Sequence, residues 1–231
     1  MRRKPAAVAI GAVGAWCAPA AAPVFPALAS LFGIPTSVPR GIAITFDDGP
    51  HPEGTPAVLE LLAQARVSAT FYLVGEQVER RPALAAEIAA AGHEIGIHGY
   101  RHTLLLRRRP GALRDDLDRA AAVIGEASGR QSLSYRPPYG VFSLAGLGLA
   151  RERWSPLLWT RWGRDWERKA TAESIARLAT RDLGPRDVVL LHDADFYSVE
   201  GSWRRTVAAL PAVLDQASAT GEPLVTASQS T

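Results

Sequence analysis

Residues 41–50 read GIAITFDDGP. Ile42 to Phe46 form an apolar, partly β-branched run of strand length, and the run stops on two adjacent carboxylates followed by a glycine and a proline, both turn formers. Further strand-like runs lie at 68–74, 94–97, 132–135, 156–160, 187–191 and 223–227,. Helical patterns separate them. Thr55 ahead of Pro56 reads as an N-cap with proline in the first turn, and Pro82 to Gly92 reads as a helix with both ends signalled,. Further helices are expected near 111–127, 143–152, 171–182 and 203–220. Strands and helices alternating in this way predict an α/β barrel or a doubly wound sheet.

The polar residues cluster behind the strand signals. DDGPH (47–51) follows the first, HGYRH (98–102) the third, RPPYG (136–140) the fourth, GRDW (163–166) comes shortly after the fifth, and HDAD (192–195) follows the sixth. Parallel α/β folds gather the carboxyl ends of their strands on one face, so order and spacing alone predict that these clusters converge.

His98 and His102 stand four positions apart, which on a helical turn would bring both imidazoles to one side and let them grip one cation,. A convergent carboxylate would complete a two-histidine, one-aspartate shell of the catalytic zinc type. Asp47 and Asp48 cannot both reach one ion from an extended strand, because neighbouring side chains face opposite ways. A turn through Gly49 and Pro50 would let one ligate while the other stands free as a base. The alternative for DDGP alone is a helix-capping turn.

TFDDGP (45–50), HGYRH (98–102), RPPYG (136–140), RDW (164–166) and LLHD (190–193) together resemble the five ordered motifs of the polysaccharide deacetylase family, carbohydrate esterase family four. The resemblance runs from about residue 41 to 228 and implies a single deformed β/α barrel of about seven strands. It implies metal-dependent hydrolysis of N-acetyl groups on an amino-sugar polysaccharide or oligosaccharide such as peptidoglycan, a chitin-like chain or an exopolysaccharide. By that similarity Asp48, His98 and His102 are metal ligands, Asp47 the general base, Arg136 its orienting partner and His192 the catalytic acid. Asp165 tunes the arginine or the acid, Tyr139 offers its backbone N–H to the oxyanion, and Trp166 and Leu190 wall the acetyl methyl. Zinc is the first expectation for the ion, and cobalt, nickel or manganese suit the same shell.

Two positions depart from the family pattern. Gly99 stands where Ser or Thr usually braces the histidine loop, and Trp162 stands where an aspartate is often found. The same site would serve an O-deacetylase of acetylated glycans or an amidase on a small cyclic amide. A weakly active carbohydrate-binding protein on this fold is the alternative of another class, although each ligand, base and acid position is filled.

The remaining residues set boundaries. Cys17 is the only cysteine, which excludes an internal disulfide and a thiolate metal site,. Net charge is +3, and part of the basic excess sits in Arg2-Arg3-Lys4 and Arg107-Arg108-Arg109, so no nucleic-acid face is expected,. Residues 1–40 combine a basic start with an Ala-rich apolar tract, the pattern of an export signal or membrane anchor, and the catalytic domain is expected to span 41–231, outside the cytoplasm,. The bland alternative is an apolar extension packed on the domain. His51 reads as a cap for the next helix and His93 as structural, while Asp193 could orient the acid histidine or serve a turn. Most of the tryptophans among Trp154, Trp159, Trp162, Trp166 and Trp203 are expected to be packed. Oligomeric state has no signature in the sequence.

Overall fold

In the first strand, β1 (Ile42–Asp47), the side chains alternate between two different environments. Ile42, Ile44 and Phe46 enter the main hydrophobic core, while Ala43, Thr45 and Asp47 point the other way. The computed structural model describes residues 17–228. The basic start and the first part of the apolar tract, residues 1–16, lie outside the described residues.

The strands that follow are β2 (Thr70–Leu73), β3 (Glu94–Ile97), β4 (Ser134–Tyr135), β5 (Ser155–Pro156), β6 (Arg161–Trp162), β7 (Val188–His192) and β8 (Leu224–Val225). All pair in parallel, in the order β5-β4-β3-β2-β1-β7-β6, with β8 beside the start of β1. The helices are α1 (Pro26–Leu31), α2 (Gly54–Ala65), α3 (Gly75–Arg80), α4 (Pro82–Ala90), α5 (Pro110–Ser128), α6 (Leu144–Arg153), α7 (Ala172–Ala179) and α8 (Ser202–Ala219). The result is the deformed barrel that the motifs implied: a curled parallel sheet whose outer face is covered by helices. Helices α1 and α3 have no counterpart among the helices expected from the sequence.

The run at 156–160 is not one strand. Strand β5 ends at Pro156 and β6 begins at Arg161. Between them the backbone bonds elsewhere: Leu158 N donates to Pro35 O at 2.9 Å, and the carbonyls of Leu157 and Leu158 accept from the Arg136 side chain at 3.0 and 2.9 Å. A buried backbone group needs a partner, but the partner need not be a ladder.

Residues 17–40 run against the domain. Ala22, Ala29 and Ile34 belong to the main core, and Val38 joins Ala43, Leu157, Val188 and Val225 in a small apolar cluster inside the barrel. No helix among the described residues is long and apolar enough to cross a membrane.

Register positions the chemistry. Asp47 pairs with Tyr72 on one side and His192 on the other, and Tyr72 pairs with Gly96. Glycine is required there, because a Cβ on Gly96 would lie 2.5 Å from the Tyr72 ring. If the segment before β1 is integral to the core, Ile34→Ala will lower the unfolding free energy by about 2–5 kcal/mol in a single cooperative urea transition. An unchanged midpoint would place Ile34 outside the cooperative unit.

Candidate active site

Asp47 ends β1 facing inward and is buried. Its Oδ1 accepts from Arg136 Nη1 at 2.8 Å. Arg136 follows β4 directly and is fully enclosed. Its Nη1 also donates to Thr45 Oγ1 at 2.8 Å, its Nε and Nη2 to the carbonyls of Leu157 and Leu158, and its guanidinium lies 4.1 Å over the Tyr72 ring. The bond to Arg136 occupies one oxygen of Asp47. The other, Oδ2, remains 3.9 Å from His98 Nε2.

Asp48 leaves the strand conformation at once, with φ of 78°. The left-handed region is costly for most L-residues and least so for Asp and Asn. Asp48 itself therefore begins the divergence of the two carboxylates, ahead of the Gly49–Pro50 turn. Its buried Oδ1 lies 3.4 Å from His98 Nε2 and 3.2 Å from His102 Nε2, with no hydrogen-bond partner of its own. His98 Nδ1 is 2.7 Å from the Arg136 carbonyl, which can only accept, so that nitrogen carries a proton, and in the neutral ring Nε2 has the lone pair,.

Electrostatics agree with this arrangement. Burial alone would raise the Asp48 carboxyl, but His98, His192 and His102 outweigh it and bring it down to about 2. Burial pushes His102 down to about 4, against the pull of Asp48, so its imidazole is neutral near pH 7. An ionised carboxylate and two imidazole lone pairs, all within 4.8 Å of one another, fit a divalent cation.

The two histidines do not share a helical turn. Residues 98–102 form a loop after β3, because Gly99 takes φ of 87° and breaks any helical path. Asp116 on α5 braces that loop by accepting from Tyr100 N at 2.8 Å. The support comes from a distant helix, which compensates for the missing Ser or Thr at 99.

His192 closes β7. Its Nδ1 bonds Asp165 Oδ1 at 2.9 Å and its backbone N donates to Asp165 Oδ2 at 2.7 Å, while Thr206 Oγ1 donates to the same Oδ2 at 2.7 Å. Burial opposes the charged ring, but Asp165 above all, then Asp48 and Asp47, raise its pKa to about 10. Asp165 therefore partners the histidine, whereas the Arg136 side chain bonds Thr45, Asp47, Leu157 and Leu158. The free Nε2 of His192 faces Asp48 Oδ2 at 4.0 Å.

A cavity of about 260 Å³ opens between these groups. Asp47, Asp48, His98, His102, Tyr139, Trp166, Leu190 and His192 line it, whereas Arg136 and Asp165 stand behind it. Tyr139 sits in a 3-10 turn with φ of 60°, and its exposed ring meets His102 edge-on at 4.5 Å.

The polysaccharide deacetylase family model matches residues 35–152. A peptidoglycan-N-acetylglucosamine deacetylase of Bacillus cereus is 36% identical over 193 residues, 81% of this chain and 86% of the relative. The chain belongs to the polysaccharide deacetylase family. A chitooligosaccharide deacetylase of Bradyrhizobium sp. (strain ANU 289) is 35% identical over 163 residues, 67% of this chain and 71% of that one. The crystal structure of a peptidoglycan N-acetylglucosamine deacetylase superposes with a TM-score of 0.80 at 27% identity, covering 87% of this chain and 95% of the other.

Several residues of this deacetylase escaped the sequence reading. Tyr197 stacks on His102 with centroids 4.2 Å apart and planes 12° apart. Its hydroxyl donates to Glu76 Oε1 and accepts from Gln77 Nε2, each at 2.9 Å. His102 Nδ1 is buried without a hydrogen-bond partner, so ring stacking does what a bond to the second nitrogen of a ligating histidine usually does. Nothing in "DFYS" announces this, because the contact joins loops far apart in sequence. Thr45 was equally silent.

Other expectations resolve individually. His51 does cap α2, its Nδ1 accepting from Glu53 N and Gly54 N at 3.2 and 2.9 Å. Thr55 is not the N-cap: it lies inside α2, accepts from His51 N at 2.7 Å and donates to Asp193 Oδ2. Asp193 is thereby turned away from the acid histidine. His93 is structural, its Nδ1 accepting from Ala69 N at 3.2 Å. Trp154 and Trp203 are packed, while Trp159, Trp162 and Trp166 line the cavity.

The Asp165–His192 pair has a pH signature. Folding raises the histidine above its ordinary 6.5, so the pair stabilises fully below that value and its contribution disappears as pH climbs through about 10,. Asp165→Asn will therefore destabilise the metal-free protein more near pH 6 than above pH 10 in urea titrations, and the His192 imidazole will titrate lower by NMR. Equal loss of stability at both pH values would refute the charge pairing.

Proposed function

We propose that this deacetylase hydrolyses the N-acetyl groups of N-acetylglucosamine units in a glycan, by a metal-assisted route, outside the cytoplasm. The observation that carries the reading is the convergence of Asp48, His98 and His102 on one buried point, with Asp47 on one side and a protonatable His192 on the other. The similarity to a peptidoglycan-N-acetylglucosamine deacetylase and to a chitooligosaccharide deacetylase supports the substrate class. Export rests on the sequence pattern of residues 1–40 alone, the basic start and the apolar tract behind it, of which residues 17–40 also pack on the domain,.

A divalent cation held by Asp48, His98 and His102 would supply Lewis acidity to the amide carbonyl and lower the pKa of water at the site. The chain's own residues do the rest. Asp47, held by Arg136 through Oδ1, presents Oδ2 to take a proton from the attacking water,. The water oxygen bonds to the carbonyl carbon, and the backbone N–H of Tyr139 serves the oxyanion, its neighbours Pro137 and Pro138 having no N–H to compete. His192, kept charged by Asp165, donates its Nε2 proton to the nitrogen as the carbon–nitrogen bond breaks. Acetate and a free amine result. Trp166 and Leu190, on the cavity wall, form an apolar seat for the acetyl methyl.

Acetate and amine release from N-acetylglucosamine oligomers with zinc supplied tests the assignment. Asp47→Asn is expected to retain zinc in elemental analysis while losing roughly 10²–10⁴ of turnover. His98→Ala is expected to lose both. Normal turnover in zinc-replete Asp47→Asn would remove Asp47 as the base, and acetate without new amine would assign an ester substrate instead.

Stacking by Tyr197 gives a separate check. Tyr197→Leu should weaken zinc binding by roughly 10–100-fold in chelator competition, with Tyr197→Phe retaining most of the affinity. Equal affinity in all three proteins would show that the stack does not hold the ligand.

A further inference from the structure

The catalytic cavity, about 260 Å³, falls below the roughly 300–1,000 Å³ of sites that enclose most of a small ligand. It can take the reacting acetamido arm, but a chain of sugars must be held beyond it as well. Two indoles on its wall, Trp159 and Trp162, have ring centroids 5.8 Å apart. Both also line a second cavity of about 390 Å³, together with Pro23, Pro26 and Thr36 of the N-terminal segment. Trp162 in turn lies 5.7 Å from Trp166, and Trp166 lies 5.3 Å from His192. A run of aromatic rings thus leads from His192 to the second cavity.

The chemistry of this second cavity is selective. A pyranose ring carries its C–H bonds on its faces and its hydroxyls around its edge, so it pairs with the electron-rich face of an indole while hydrogen-bonding at the rim. Trp159 and Trp162 are only partly buried, with Arg136 5.7 Å from the Trp159 ring and Arg164 6.0 Å from the Trp162 ring. Thr36 offers a rim hydroxyl, whereas the Thr160 hydroxyl is engaged by the Val188 backbone. Arg161 is already paired with Asp187 at 3.0 Å, which favours a neutral ring over an anionic one. Trp162 occupies the position where the family motif often has an aspartate, so the platform belongs to this chain's own sequence.

We propose that the second cavity is a binding subsite for a neighbouring sugar unit of the substrate chain, with Trp162 as stacking platform and residues 23–36 as its outer wall. The proposal rests on the glycan reading above. The segment before β1 then takes part in substrate binding as well as in packing.

Rates of acetate release from N-acetylglucosamine and its oligomers, monomer through hexamer, test it in the full chain with zinc present. The natural protein is expected to show kcat/KM rising with chain length. Trp162→Ala, and separately Thr36→Trp, which fills the cavity, should each reduce the hexamer-to-monomer ratio by about tenfold, equivalent to about 1.4 kcal/mol. Trp162→Phe, which keeps a flat ring, should restore most of the ratio. A ratio unchanged in both Trp162→Ala and Thr36→Trp overturns the subsite. Hexamer binding by calorimetry separates failure of the subsite from failure of the function. Binding that needs Trp162 but releases no acetate retains the subsite and removes the deacetylase reading, whereas binding of equal strength with and without the Trp162 side chain removes the subsite.

Discussion

A fully enclosed guanidinium organises this protein. Arg136 cannot lose its charge and has no water to bond, so its N–H groups must be answered from within. Four hydrogen bonds answer them: Thr45 and Asp47 on β1, and the carbonyls of Leu157 and Leu158 where the sheet breaks off. The same residue lends its carbonyl to His98. One side chain and its own backbone thus set the base, one ligand and the form of the open edge. Such a buried pair contributes little net stability after desolvation, yet leaving either partner alone is costly, so its main effect is to hold positions.

The parallel register extends this control across the sheet. Asp47, Tyr72 and His192 are register partners on adjacent strands, so their side chains share one row. Gly96 gives the Tyr72 ring its space, and Arg136 lies over that ring. The adjacent carboxylates are tolerated because they have different partners. Asp47 is met by Arg136, whereas Asp48 turns through a left-handed backbone toward two imidazoles. A third carboxylate, Asp165, is spent on His192 and is masked from the rest by Thr206.

The histidine loop shows how support is redistributed. Gly99 has no side chain to brace the loop and adopts a backbone angle that favours glycine. Asp116 of α5 holds the following amide, and Tyr197 of the β7 loop holds the His102 ring. Long-range contacts thus replace a local one. They also tie the ligand geometry to α3, through Glu76 and Gln77.

Local pattern carried much of this in the sequence. Strand-length apolar runs and helix signals establish the alternation, and polar clusters at strand ends must meet in a parallel sheet, so GIAITFDDGP, the histidine pair and His192 were legible as one face. Ordered motifs then supplied the family, and the comparisons confirm it. What the sequence alone could not determine depends on pairs distant along the chain. The break at 157–160 arises because Arg136 takes carbonyls that a strand would use, and the histidines converge through a loop because Gly99 rejects a helical path. Asp165 serves His192 in preference to Arg136, and Tyr197 finds His102, through contacts that exist only once the sheet curls. Periodicity records which way a side chain faces, but which partner it meets is decided by the closure of the fold.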